Sequence, residues 1–199
     1  MSTAPAVRAG SERRDEILAI AAELFAERGF AATTVREIAD SAGILSGSLY
    51  HHFDSKESMV EELLRTFLED ITHAYRLEVA SGDDPVTMLR TLVRLAFDSI
   101  GARWATVSVM VNEYNLLISY PRFSFVQEMS EETERLWVGV IERGVQAGAF
   151  RAGLDPRMTY RFLRDAIWVS VRWYQPTGRD RPEDIADVYV GVLLDGIAN

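Results

Sequence analysis

The sequence predicts an all-α protein with a small helix-turn-helix head and a larger helical body. Apolar residues recur at helical spacing along most of the 199 residues, and no alternating stretch of useful length predicts a β-strand. Glycine, proline and serine clusters divide the chain into about nine helical segments. We expect a disordered arm over residues 1–10, the head over 11–54 and the body over 55–199.

The composition excludes several classes of protein. The chain has no run of about 18 apolar residues, so we expect no membrane span, and residues 1–10 lack an apolar signal segment. It contains no cysteine, which excludes a disulfide framework, a thiolate metal site and a cysteine nucleophile. We therefore expect a cytoplasmic protein that carries no bound cofactor or metal.

Three short helical segments make up the predicted head. The first covers about residues 11–28 and carries an apolar stripe. The second begins after Thr33 or Thr34, either of which can cap its first turn, and it stops at Gly43. Ser46 then caps a third helix. The inner residues of the second and third helices have the spacing that packs two short helices at a steep angle.

The outward side of the third helix favours contact with DNA. Its residues are small or hydrogen-bonding, and small residues let a first turn approach base edges in the major groove. Tyr50 and His51 can reach phosphates or bases, and a nearby phosphate would offset the unfavourable cation of Lys56 at the start of the next helix. The residues predicted to contact DNA are Thr33, Thr34, Arg36, Ser46, Gly47, Ser48, Tyr50, His51 and Lys56. Two short helices and a glycine turn also occur in helical proteins that bind no DNA, so that alternative stays open.

The net charge of −9 is unusual for a DNA-binding protein, but it is unevenly distributed. Residues 1–56 contain six basic and eight acidic residues, so most of the excess acidity lies in the body. An acidic body repels DNA and limits non-specific binding, while local cations near the third helix can still contact phosphates.

The body is predicted to contain six further helices. A long helix begins at Ser55 and ends before the loop that starts at Ser81, and Pro85 opens the next helix, which Gly101 breaks. The remaining helices are expected over residues 104–117, 123–147, 158–174 and 183–197. The last two are apolar over much of their circumference, which favours a homodimer joined through them as a four-helix interface. An ordinary monomer core is the alternative.

The helix over residues 158–174 contains the strongest indication of a ligand. Arg164, Trp168 and Arg172 follow one another at intervals of four residues and so share one stripe. Guanidinium groups bind phosphates and tryptophan stacks on aromatic rings, which suits an anionic ligand with an aromatic portion. Pairing of the arginines with acids such as Asp165, Asp184 or Asp187 is the alternative. Further large residues suited to an apolar pocket are Trp104, Met110, Tyr114, Phe123 and Trp137.

The stretch over residues 17–56 closely resembles the N-terminal domain of TetR-family repressors. The similarity rests on LFAERGF at the end of the first helix, TTVREIA, AG at the turn and GSLYHHF. It implies an all-helical homodimer that binds a palindromic operator in double-stranded DNA and is released by a small ligand. Leu45 departs from the family pattern, since many members carry a polar residue beside the turn.

A closer resemblance covers most of the chain. The segments ILSGSLYHHF, PRFSF and YRFLRDAIWVSVRWYQP are similar to the actinobacterial TetR-type repressors of the later, ring-degrading part of cholesterol catabolism. This implies a coenzyme A thioester of a partly degraded sterol as inducer, held by Arg164, Trp168 and Arg172. The alternatives are a TetR-type regulator of an unrelated hydrophobic ligand and an enzyme acting on acyl-CoA. We expect no enzyme, because two of the three histidines lie in the predicted DNA-contacting helix and no catalytic triad or metal-ligand spacing occurs.

Overall fold

A computed structural model describes residues 4–197, with side chains for residues 12–195. The head contains α1 (Ala4–Arg28), α2 (Val35–Ser41) and α3 (Ser46–Leu49). The body contains α4 (Lys56–Val79), α5 (Pro85–Ala102), α6 (Trp104–Asn112), α7 (Tyr114–Leu117), α8 (Ser124–Gln146), α9 (Pro156–Val169) and α10 (Pro182–Ile197), with 3-10 turns over Pro121–Phe123 and Ser170–Arg172. No β-strand element occurs within residues 4–197, so the all-α prediction is confirmed.

Two glycines and one threonine define the turns of the head. Gly29 and Gly43 end α1 and α2 at φ angles of 85° and 65°, the left-handed region that favours glycine. Thr34 caps α2 through a capping box, since its hydroxyl accepts from the Glu37 N–H and the Glu37 carboxylate accepts from the Thr34 N–H. The three helices enclose a core that includes Ile17, Ala21, Phe25, Ile38, Leu49 and Phe53.

Several predicted boundaries differ from the structure. Helix α1 begins at Ala4 rather than near residue 11, so residues 4–10 of the expected arm are helical, while residues 1–3 lie outside the described part of the chain. An alanine-rich sequence with Pro5 in the first turn is compatible with a helix start. The predicted helix over 104–117 is divided at Glu113 into α6 and α7, and the last part of the helix predicted over 158–174 is a 3-10 turn.

Gly101 does not break α5, which continues to Ala102. A Cβ atom at Gly101 would lie 2.3 Å from Cγ of Pro182, the first residue of α10. The glycine therefore permits the close packing of α5 against α10, an interhelical role that local sequence cannot distinguish from helix termination.

The long helix α4 joins the head to the body. It packs against α5 and α8, while α8 also contacts α9 and α5 also contacts α10. The head in turn packs on the body through α1, which lies against α6 as well as α4. Because α6 contacts the head on one side, any ligand that reaches its other side lies one helix away from the DNA-binding elements. None of the described helices is long and apolar enough to cross a membrane.

Candidate DNA-binding surface and ligand cavity

Most of the residues predicted to contact DNA lie together on the outer side of α2 and α3. The Arg36 side chain is 85% exposed and only distantly paired with Asp40, at 3.8 Å. Tyr50 is 55% exposed, Gly47, His51 and Thr34 are exposed, and Ser46 and Ser48 are half-buried. This arrangement presents a long cation, an aromatic hydroxyl and small residues on one surface, which matches the needs of phosphate and base-edge contacts.

Thr33 does not belong to that surface, so its assignment as a DNA contact is corrected. Its side chain is fully buried, and its hydroxyl donates to the carbonyl oxygens of Leu24 and Gly29 at 3.2 and 2.9 Å. Those carbonyls lie at the end of α1, where backbone acceptors lack helical partners. Thr33 therefore stabilises the turn between α1 and α2.

The Lys56 side chain, predicted to meet a phosphate, is directed in the structure at the loop after α1. Its ammonium donates to the carbonyl oxygens of Phe30, Ala31 and Thr33 at 2.8, 3.4 and 3.1 Å, and it lies 4.4 Å from the centre of the Phe30 ring. The three donors of the ammonium are thus directed at the loop after α1. In the sequence, the position of Lys56 in the first turn of a helix indicates an unfavourable interaction with the helix dipole but gives no indication of these carbonyls.

The start of the recognition helix α3 is unusual. Its N-cap residue is Leu45, which makes no side-chain cap hydrogen bond, whereas the predicted cap Ser46 is the first helical residue. Leucine is among the poorest N-cap residues. Leu45 is also 79% exposed, at the start of the helix predicted to contact DNA. Because Leu45 is unfavourable both as an N-cap and as an apolar side chain in water, we infer that it contacts a partner outside the chain.

A cavity of about 460 Å³ lies in the body between α4, α6, α8 and α9. Five of the eight residues predicted to bind a ligand line it: Met110, Tyr114, Arg164, Trp168 and Arg172. Phe123 is instead a fully buried core residue, and Trp104 lines a separate cavity beside α1 while its indole N–H donates to the Val171 carbonyl at 3.1 Å. Phe123 and Trp104 therefore do not line this cavity. Their size and apolarity, on which the prediction rests, are equally typical of core residues.

The predicted stripe lies along one side of this cavity, with Arg164 and Trp168 on α9 and Arg172 in the 3-10 turn that follows it. The Arg164 guanidinium donates to Asp165 at 2.8 Å, which is the acidic pairing considered as an alternative, while Arg172 is exposed. Trp168 is half-buried and meets Phe67 edge-on, with ring centres 6.0 Å apart. The stripe thus places two cations and an indole where solvent and the cavity meet.

The inner part of the cavity region contains two buried polar groups without partners. Tyr75 lines the cavity, and its ring meets Trp137 edge-on at 5.6 Å; Trp137 lies behind, against Tyr160 at 6.1 Å. The hydroxyl of Tyr75 and the indole N–H of Trp137 are buried and make no hydrogen bond. Burial raises the pKa of Tyr75 well above its ordinary value and that of Tyr160 to about 12, so both phenols keep their protons.

Sequence reasoning missed the polar residues of the cavity on α4 and α8. Tyr75, Ser130 and Thr133 line it, and the buried Thr72 hydroxyl lies 3.5 Å from that of Thr133. A signal was present, since these polar residues fall on helix faces that are otherwise apolar. Buried hydroxyls of this kind are expected where a polar ligand group or water is bound.

The outer faces of α9 and α10 carry large apolar side chains that no side chain of residues 12–195 covers. Phe162 is 69% exposed, and Val188 and Val192, one turn apart on α10, are 69% and 73% exposed. The opposite side of α10 is buried through Ala186, Val190 and Leu194. The two helices are therefore apolar on both sides, as the sequence indicated, and their outer faces need a partner surface.

Comparison with known proteins gives matches along almost the whole chain. The model of the bacterial regulatory proteins of the tetR family matches residues 17–63, and that of the tetracyclin repressor-like C-terminal domain matches residues 82–197. The transcriptional repressor KstR2 of Rhodococcus jostii is 51% identical over 95% of this chain and 93% of its own. The KstR2 of Mycobacterium tuberculosis is 46% identical, with 94% of each chain covered.

Solved structures agree with these matches. The ketosteroid transcriptional regulator KstR2 of Mycobacterium tuberculosis superposes with a TM-score of 0.91 at 46% identity, over 94% of this chain and 95% of that one. AibR, solved in complex with isovaleryl coenzyme A and operator DNA, gives a TM-score of 0.79 over 90% of this chain and 97% of that one. Its identity is 24%, so this second likeness concerns the fold alone.

Proposed function

The chain belongs to the TetR family of transcriptional repressors, and we propose that a coenzyme A thioester bearing a partly degraded sterol releases it from its operator. As a TetR-type regulator it binds operator DNA and dimerises. Its relatives are regulators of transcription, which confirms the expectation of a regulator rather than an enzyme. The inducer is the part of this function that rests on the cavity.

The polarity of the cavity is the observation that carries the proposed inducer. Arg164, Trp168 and Arg172 lie where the cavity meets solvent, while its interior is formed by apolar side chains such as Leu68, Ile71 and Val126. Arginine binds phosphate bidentately and an indole stacks on a purine, so this rim suits the nucleotide end of coenzyme A. A phosphate can replace the Asp165 carboxylate on Arg164, since that exposed pair is held weakly. The apolar interior suits the acyl group.

A buried hydrogen-bond donor in the cavity further restricts the kind of acyl group that fits. The buried hydroxyl of Tyr75, which lines the cavity, would gain by donating to an oxygen of the ligand. A plain hydrocarbon chain offers no acceptor there, whereas a ring remnant with a keto or hydroxyl oxygen does. The name of the KstR2 relative as a ketosteroid regulator supports a ligand of this class, and AibR shows that the fold can hold an acyl-CoA.

The dimer that we propose joins α9 and α10 to their copies in a second chain. Phe162, Val188 and Val192 would be covered by this interface. Two-fold symmetry would then place the two α3 helices in successive major grooves of a palindrome, about one turn of DNA apart. A ligand that binds better to a conformation with mis-spaced heads lowers operator affinity by linkage, and the operator lowers ligand affinity by the same factor.

The test is fluorescence anisotropy on an operator duplex selected from random-sequence DNA, at a fixed stated salt concentration. Coenzyme A thioesters of sterol ring-degradation acids, a saturated fatty acyl-CoA and free coenzyme A are added in parallel. We expect release by the sterol-derived thioester at concentrations where the other two leave the complex intact. Release by a hydrophobic compound without coenzyme A, together with indifference to every thioester, would favour the alternative of an unrelated ligand.

Two variants test whether the rim of the cavity, formed by Arg164, Trp168 and Arg172, binds the thioester that causes release. Arg172→Met removes an exposed cation of the cavity, and we expect it to raise the thioester concentration needed for release about tenfold or more. Arg179→Met removes an exposed arginine from the loop before α10, away from the cavity, and serves as the control. Equal responses of the two variants would show that general charge, not the rim, governs release.

A further inference from the structure

One hydrogen bond joins the body directly to the loop that follows α1. Oε1 of Glu113 accepts from the backbone N–H of Phe30 at 3.0 Å, although the two residues are 83 positions apart. A Cβ atom on Gly29 would lie 3.2 Å from the same oxygen, so the glycine leaves room for the carboxylate. The Phe30 N–H follows the last turn of α1, where a helix often closes on its own carbonyls; here the body supplies the acceptor.

Glu113 occupies a break in the wall of the ligand cavity. It separates α6 from α7, at φ −104° and ψ 8°, outside the helical region. The residues on either side of it line the cavity: Met110, Val111, Asn112, Tyr114 and Asn115. A ligand that pushes this wall outward therefore moves the backbone that carries the carboxylate.

Phe30 is rigidly connected to the head. Its ring is 4% exposed and packs on Phe25 at 5.5 Å, and its carbonyl accepts from the Lys56 ammonium at 2.8 Å. The peptide groups of Phe30 are thus held by the head core, by α4 and by the body. Movement of Glu113 acts on a packed unit, and packed units shift as a whole rather than deform.

We propose that Glu113 is a positioning residue that holds the head in its operator-binding orientation and releases it when a ligand displaces the wall formed by residues 110–115. Withdrawal of the carboxylate leaves the Phe30 N–H without its charged acceptor, which removes the preference for that orientation. The proposal rests on the proposed function in one respect, namely that the inducer occupies this cavity. By linkage, loss of the bond must weaken operator binding and strengthen inducer binding together.

The experiment compares three variants with the wild-type chain. Glu113→Ala removes the acceptor, Glu113→Gln keeps an acceptor oxygen without the charge, and Glu128→Ala removes an equal charge from an exposed site on α8 that contacts neither head nor cavity. Operator affinity is measured without ligand, and binding of the most effective thioester is measured by calorimetry without DNA. Exchange of the Phe30 amide proton is followed by NMR.

For Glu113→Ala we expect operator affinity to fall about tenfold, thioester affinity to rise several-fold and the Phe30 amide to exchange faster. Glu113→Gln should recover most of the operator affinity, and Glu128→Ala should match the wild type. Unchanged operator affinity in Glu113→Ala would overturn the proposal. Weakening of both operator and thioester binding would also overturn it, because that pattern indicates general damage to the structure.

Failure of the proposed inducer gives a different pattern. In that case the wild-type chain binds the operator, but no thioester binds or releases it. The ligand-free operator affinity and the amide exchange of Glu113→Ala and Glu113→Gln then decide the role of Glu113 by themselves. The positioning role is supported if Glu113→Ala loses both operator affinity and protection of the Phe30 amide, and Glu113→Gln recovers both. It is refuted if the two variants have equal operator affinity and equal amide exchange.

Discussion

Replacement of Lys56 by methionine distinguishes a structural clamp from a DNA contact. Methionine keeps the apolar stem but removes the ammonium from the carbonyls of Phe30, Ala31 and Thr33. A hydrogen bond to a charged group contributes about 1.5–3 kcal/mol, but the 3.4 Å contact is weak and water can replace part of the rest. We therefore expect the free energy of unfolding to fall by about 2 kcal/mol, which lowers the melting temperature by about 4–8 °C.

The assay pairs this variant with Arg36→Met and measures both stability and the salt dependence of operator binding. Arg36 is almost fully exposed, so its removal should change stability by less than about 0.5 kcal/mol. If Arg36 contacts a phosphate, its loss should reduce the slope of log affinity against log salt by about 1. Lys56→Met should show the reverse, with lower stability and an unchanged slope. An unaltered melting temperature with a reduced slope for Lys56→Met would refute the clamp.

Three further predictions concern the head and the cavity. Tyr50→Ala should lower operator affinity by at least about tenfold while gel filtration and ligand calorimetry remain as in the wild type; unchanged affinity would remove Tyr50 from the DNA surface. Leu45→Ser should add the missing cap and raise the free energy of unfolding by about 1 kcal/mol in urea titrations, and a loss of stability would contradict the cap assignment. Tyr75→Phe should leave the ligand-free protein as stable or up to about 1 kcal/mol more stable, yet weaken binding of the sterol-derived thioester in calorimetry; equal binding would exclude an oxygen acceptor at Tyr75.

The fold could be predicted well wherever a sequence pattern is compatible with only one local structure. Gly43 at the end of an apolar face predicted the turn after α2, and the proline and acidic residues at 83–85 predicted the loop before α5. Gly101 was misassigned because a helix terminator and a close-packing glycine are identical in sequence, and only the approach of Pro182 distinguishes them. The division at Glu113 has no local signal in the sequence, and the hydrogen bond that its side chain accepts comes from Phe30, 83 residues away.

The site could be predicted in part for the same reason. The interval of four residues between Arg164, Trp168 and Arg172 places them on one stripe of any helix, and the structure brings them to one cavity. The sequence places Tyr75 at helical spacing among the apolar residues of α4 and so indicates only a core position for it. Its unpartnered hydroxyl becomes visible only after Trp137 and the rest of α8 are packed against it, because satisfaction of a buried donor is a property of the tertiary structure.

Three local features that destabilise the free molecule lie where external partners would bind. Leu45 is a poor cap and an exposed apolar group on the head, and the Tyr75 hydroxyl and Trp137 N–H are buried without acceptors beside the cavity. Each feature destabilises the free chain by about 1–3 kcal/mol by the usual magnitudes. The core of the head, by contrast, contains satisfied groups such as the buried Thr33 hydroxyl. If binding relieves these costs, substitutions that stabilise the free protein at Leu45 and Tyr75 should weaken operator and inducer binding respectively, each without affecting the other site.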